Sequence, residues 1–190
     1  MLNPHSRRRN FLKIGIASFL TAVLSKIPGT ATSQTSLEQP KGIVVHAEEG
    51  EHILTGRRKA PITIKFSREK NNVDSISFCT EDIVTGRKLR IHKHLYNDEI
   101  IFIHKGSGLF TLDEENIEVR TGTVMFIPRG MWHGLENTGS ENILMTFGYS
   151  PAGFEGFFRD NGTLVGSPPN VRTEEDYAHA REKYGMVYKE

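Results

Sequence analysis

Cysteine occurs once in 190 residues, at Cys79, so the chain can form no internal disulfide and no cysteine-cluster metal site. Net charge is nearly absent at +1. Residues 1–33 hold five basic residues (Arg7, Arg8, Arg9, Lys13, Lys26) and no acid. The other 19 basic residues therefore face 23 acidic ones, a net of −4. A mildly acidic body argues against nucleic acid as a partner. Apolar runs are short: the longest, Ile14 to Ser25, has 12 residues, whereas a spanning helix needs about 20. No permanent membrane anchor is expected. Internal repeats and low-complexity blocks are missing too, which leaves one globular domain as the economical reading.

What the first segment does contain is an address. Arg8 and Arg9 precede Phe11, Leu12 and Lys13, the 12-residue apolar stretch follows, and Pro28 leads into small residues from Gly29 to Ser33. Basic start, apolar centre and small-residue cleavage region make a removable export signal over residues 1–33. The paired arginines resemble a twin-arginine signal. The expectation is transport by the twin-arginine machinery to the periplasm or the exterior, with residues 34–40 as a linker.

From residue 41 the chain reads as short β-branched or aromatic runs separated by Gly, Pro and Asn turns. Strands are expected at residues 43–46, 62–66, 75–82, 88–92, 99–105, 108–112, 117–119, 124–127, 134–137 and 142–149. This pattern favours an all-β sandwich or barrel over residues 41–150. After Pro151 the texture changes to a helical extension, residues 151–190. It has a short helix near 154–159 and a longer one at 174–184, with Thr173 as N-cap and Gly185 just past the end.

His92 and His94 stand two apart, so on a strand both imidazoles share a face. Glu99 opens the next strand and His133 arrives from a later one. Three neutral imidazole nitrogens and one carboxylate suit a divalent transition metal with positions left for water or substrate. The same parity places Arg90 beside His92 and His94, and Ile101 and Ile103 beside Glu99. Met145, Phe147 and Tyr149 share one face of the last strand. The candidate pocket wall is therefore Arg90, Ile101, Ile103, Phe147 and Tyr149, each of which also suits an ordinary barrel core. Phe154, Phe157 and Phe158 form a plug or a lid. His104 lies on the face opposite Glu99 and reads as structural, His46 and His52 as solvated, and Cys79 as a small buried hydrophobe.

These residues carry a resemblance. Gly86-x5-His92-x-His94-x4-Glu99-x6-Gly106 and Gly122-x5-Pro128-x-Gly130-x2-His133-x3-Asn137, 15 residues apart, resemble the two motifs of the cupin family. Ten specified positions at ~5% each put chance agreement near 10⁻¹³. The resemblance implies a single jelly-roll β-barrel over about residues 41–150 with one metal inside, held by His92, His94, Glu99 and His133. The string at 151–158 and the Lys-Tyr-Gly end of the last helix are similar to single-domain cupins grouped with quercetin 2,3-dioxygenases. Two function classes stay open. One is a dioxygenase-like enzyme on a small enol, phenol or organic acid, with Glu99 alternating between ligand and general base. The other is a metal- or small-ligand-binding protein without turnover. Either form could be a homodimer. Intrinsic affinity peaks at Cu, and Ni, Co and Zn also suit the ligands. Folding before export favours trapped Mn or Fe. If the twin-arginine reading holds, Lys-Lys in place of Arg8-Arg9 stops export, measured as loss of the mature protein from the exported fraction.

Overall fold

The computed structural model describes residues 42–56 and 60–190; the expected export signal and linker lie outside the described residues. Twelve strands and three helices follow in order: β1 (Glu51–Thr55), β2 (Ala60–Phe66), α1 (Arg68–Asn71), β3 (Phe78–Ile83), β4 (His92–His94), β5 (Asp98–Lys105), β6 (Ser107–Leu112), β7 (Glu115–Arg120), β8 (Val124–Ile127), β9 (His133–Glu136), β10 (Ile143–Ser150), α2 (Glu155–Asn161), β11 (Gly162–Leu164), α3 (Glu174–Tyr184) and β12 (Met186–Tyr188). They form a seven-stranded sheet, β11-β1-β2-β3-β10-β5-β8, and a five-stranded sheet, β12-β4-β9-β6-β7. Every strand pairing is antiparallel. The all-β expectation holds: this is a jelly-roll of two facing sheets.

Alternation puts one face of each strand inside. On β5, Glu99, Ile101 and Ile103 are buried while Ile100 and His104 face out. On β10, Met145, Phe147 and Tyr149 point inward. With Ile62, Ile64, Cys79, Ile83, Phe110, Ile127, Leu135 and Ile143 they make one continuous core. Cys79 is fully buried, as a small hydrophobe should be. His104 faces outward and meets Thr146 Oγ1 at 3.1 Å; His52 is exposed and bonds Thr63.

Two differences from the sequence reading concern strand placement. Residues 43–46 form no strand; the segment is mostly exposed, and its end is held by the Lys65 ammonium, which donates to the carbonyls of His46, Ala47 and Glu49. The first strand is β1, whose run Glu-His-Ile-Leu-Thr carries too little alternation to stand out. Residues 88–91 contribute only an isolated bridge, Lys88 to Glu136, and the ladder begins at His92.

The segment after Pro151 holds α2 and α3, and it also supplies a strand to each sheet. β11 pairs with β1, and β12 pairs with β4. Helix α3 begins at the expected Thr173, with a capping box to Asp176, and ends at Gly185 in the left-handed region at φ 65°. Helix α2 is fastened by buried Glu155, which accepts from the backbone N–H groups of Gly153 (2.7 Å) and Arg68 (3.1 Å). Arg159 on the same helix pairs with Glu51 of β1.

Gly148 shows how tightly β3 and β10 meet, since a Cβ there would sit 2.4 Å from the Ser77 carbonyl oxygen. The obstacle is backbone and cannot swing away. Gly148→Ala is therefore expected to destabilise the barrel by about 1–3 kcal/mol, read from urea unfolding.

Candidate metal centre

Strand β4 carries both His92 and His94, and it lies between β9 and β12. His92 is directly opposite His133 in the β4–β9 pairing. Glu99 comes from the facing sheet, on β5. The Gly130 N–H donates to the His94 carbonyl at 2.7 Å, pinning the approach to His133 against β4. Gly130 itself sits at φ 84°, where a side chain would be strained, and Gly86, Gly106 and Gly122 also take positive φ. Asn137, the last motif residue, is structural: its amide donates to the carbonyls of Ile83 and Glu141.

One ligand atom from each of His92, His94, Glu99 and His133 falls within 4.8 Å of all the others. His133 Nε2 lies 2.8 Å and His94 Nε2 3.2 Å from Glu99 Oε2. His92 Nδ1 donates to the Arg90 carbonyl (2.7 Å), and His133 Nδ1 to that of Met131 (3.1 Å). These bonds fix the rings and leave each Nε2 available as a ligand. His94 is held differently. Its ring meets the Phe154 ring edge-on at 4.2 Å, and neither nitrogen has a hydrogen-bond partner although the side chain is 2% exposed. The His94–Glu99 approach is close but lacks hydrogen-bond alignment. A buried imidazole with no polar partner is costly, and a metal at Nε2 removes that cost. The four residues thus fit a divalent transition metal, in agreement with the ligand set expected from the sequence.

The electrostatics point the same way. Burial pushes His92 down to about 3, helped by the neighbouring His133 and His94, so this ring is neutral. Burial alone would raise Glu99, but the hydrogen bond from His133 and the adjacent His94 outweigh it and hold the carboxyl well below its usual range. Burial opposes protonation of His133, yet its bond to Glu99 raises it overall. Entry of a dication would displace that proton, so metal affinity should rise with pH.

The ligands open onto a cavity of about 1160 Å³. Of the expected wall, Ile101, Phe147 and Tyr149 line it from within the barrel. Ile103, fully buried, packs deeper in the core and does not reach it. Arg90 borders the cavity from its exposed side, outside the strand, with its guanidinium 4.6 Å over the Tyr188 ring. Phe154, Phe157 and Phe158 are buried, pack on one another and also line the cavity. Burial, with the nearby Glu99 charge, raises the Tyr149 phenol well above its usual value, so it keeps its proton. Among the cavity residues that sequence reasoning missed are the charged Glu81 and Arg87. Glu81 sits on β3 with the parity of Cys79 and Ile83, and an acid in that inward series was the available signal.

Removing one of four ligands weakens chelation without touching the apolar core. His94→Ala is expected to lose tightly held metal in elemental analysis while retaining the β-sheet circular dichroism of the parent. Full metal occupancy in this variant would remove His94 from the ligand set.

Residues 80–149 match the family profile described as Cupin domain. An uncharacterized protein of Methanocaldococcus jannaschii is 36% identical over 74 residues, 38% of this chain and 59% of that protein. A dimethylsulfoniopropionate lyase of Ruegeria pomeroyi is 28% identical over 145 residues, 72% of this chain and 93% of that protein. An oxalate-binding protein of Thermotoga maritima is 26% identical over 112 residues, 56% of this chain and 93% of that protein. Among solved structures, a predicted oxalate decarboxylase from Thermotoga maritima aligns with a TM-score of 0.51 at 23% identity, covering 57% of this chain and 99% of that one; this likeness is one of fold. The motif pair and the His/His/Glu/His cluster fall within or beside residues 80–149, the stretch that matches the Cupin domain, and strands from both flanks complete the two-sheet barrel around it.

Proposed function

We propose that the protein is a metal-dependent enzyme, dioxygenase-like, acting on a small enol, phenol or organic acid outside the cytoplasm. The observation that carries this reading is the open side of the metal cluster. All four ligands face a cavity large enough for a small molecule, whereas a purely structural metal site is closed by protein on every side.

His92, His94, Glu99 and His133 would hold the metal, with Mn or Fe favoured over Ni, Co, Cu or Zn. When bound, the metal would act as a Lewis acid that orients a substrate oxygen and lowers its pKa. The chain's own residues do the rest. Glu99 is ionised and can accept a proton from a substrate carbon or hydroxyl. Tyr149 holds its phenolic proton and offers a hydrogen bond to a substrate oxygen. Phe147, Phe154 and Phe158 pack around Tyr149 and exclude water from that side of the reacting centre. Lyase chemistry in the Ruegeria relative supports an enzyme built on this scaffold.

A second reading is a non-catalytic binder of small acids, and the oxalate-binding relative favours it. Substrate-dependent O₂ uptake by metal-loaded protein, screened over enols, phenols and organic acids, separates the two. An enzyme turns over at least one class, and Glu99→Gln lowers kcat by ~100-fold or more, the scale of a lost general base, with a smaller fall in metal content. Binding of acids without any turnover would establish the second reading.

A further inference from the structure

The cavity has a second polar end. Glu81 on β3 is 5% exposed, lines the cavity, and makes no hydrogen bond or ion pair among the described residues. It is not a metal ligand. Glu81 lies opposite Met145 on β10, whereas Glu99 lies opposite Tyr149. The two residues thus stand four positions apart along β10, about 14 Å of backbone at ~3.4 Å per residue. Between these levels the inward side chains are Cys79, Ile101 and Phe147, all apolar.

Few charges face Glu81. Its neighbours on β2 and β10 are inward hydrophobes: Ile62, Ile64, Met145 and Phe147. Asp82 beside it is exposed on the outer face. The charges that reach it are the half-buried Arg87 guanidinium, which also lines the cavity, then Glu99 and the outward Asp82. Burial pushes Glu81 up to about 7, partly offset by Arg87 and reinforced by Glu99 and Asp82. Near neutrality the group is therefore divided between carboxylate and carboxylic acid, and at pH 6 it is mostly the acid, a hydrogen-bond donor with no acceptor. A buried polar group in that state costs free energy that a ligand can recover.

We propose that Glu81 and Arg87 form the far pole of the cavity and bind the terminal carboxylate of a small elongated acid whose other end is held at the metal. The protonated Glu81 donates one hydrogen bond and Arg87 supplies the countercharge. Oxalate is too short to span both ends, so the pole selects longer acids with an apolar middle that packs on Phe147 and Ile101. This selection rests on the metal-dependent reading of the site, but its test is separable.

The test is calorimetric titration of the full chain, Mn²⁺-loaded and metal-free. The probes are oxalate and matched pairs: 2-oxoglutarate, 2-oxoadipate and 2-oxopimelate against the 2-oxo monoacids of the same length. At pH 6 one diacid should bind at least ~10-fold more tightly than its monoacid, the scale of a charge-assisted hydrogen bond. Arg87→Met and Glu81→Leu should each bring that ratio near one. Glu81→Gln, still a donor, should retain it. Between pH 6 and 8.5 the wild-type ratio should fall as Glu81 ionises and repels the carboxylate, while the Glu81→Gln ratio stays level. Glu81→Leu removes an unpaired buried carboxyl, so it should fold and melt no lower than the parent. No diacid preference at any length, or a preference that survives both Arg87→Met and Glu81→Leu, would overturn the proposal. Oxalate binding that is indifferent to Mn²⁺ would instead count against the metal-dependent reading, with the diacid ratio still read from the same titrations.

Discussion

An ionised carboxylate taken out of water must be surrounded by compensating groups, and Glu99 sets that requirement at the junction of the two sheets. Its strand, β5, belongs to the larger sheet, while the three imidazoles that answer it stand on β4 and β9 of the smaller one. The cluster therefore fixes the spacing of the sheets as well as the chemistry between them. An unpaired charge in such a place costs several kcal/mol, and a charge with hydrogen-bonded partners costs far less. The surrounding structure serves the same end. Gly130 ties its loop to His94, the carbonyls of Arg90 and Met131 orient two rings, and Phe154 braces the third.

Moving away from Glu99, the cavity changes character along its length. The metal-ligand end is dense with titratable groups that constrain one another. The middle is aromatic and aliphatic. Near β3 a second carboxyl is held in the opposite protonation preference from the first. Two acids in one enclosure, one driven down by imidazoles and the other driven up by desolvation, are how a single fold separates proton acceptor from proton donor.

The ligand set was legible because strand parity and spacing alone bring His92 and His94 to one face, and the paired motifs account for Glu99 and His133. Helix α3 was legible from Thr173 and Gly185, whose capping chemistry is local. What escaped depends on non-local pairing. Strands β11 and β12 are three residues each and have no pattern of their own; they exist because β1 and β4 offer open edges. Ile103 shares parity with Glu99 and Ile101, yet depth in the core, which parity does not report, removes it from the cavity. Arg90 reaches the cavity only from its exposed border, since the strand that would have turned it inward begins only at His92. Glu81 went unremarked because an acid inside a barrel contradicts the usual inside-outside rule, and its environment is assembled from three strands.

Strand β4 is only three residues long, and a single residue pair joins it to β9. Its other flank is carried by β12, where Met186 faces His94 and Tyr188 faces His92. Two of the four candidate metal ligands thus take their rigidity from a segment more than ninety positions downstream that contributes no candidate ligand. Sequence drift in that tail can retune how strictly the site discriminates among ions while leaving every coordinating residue intact. Homologues with identical motifs and different tails need not share a metal.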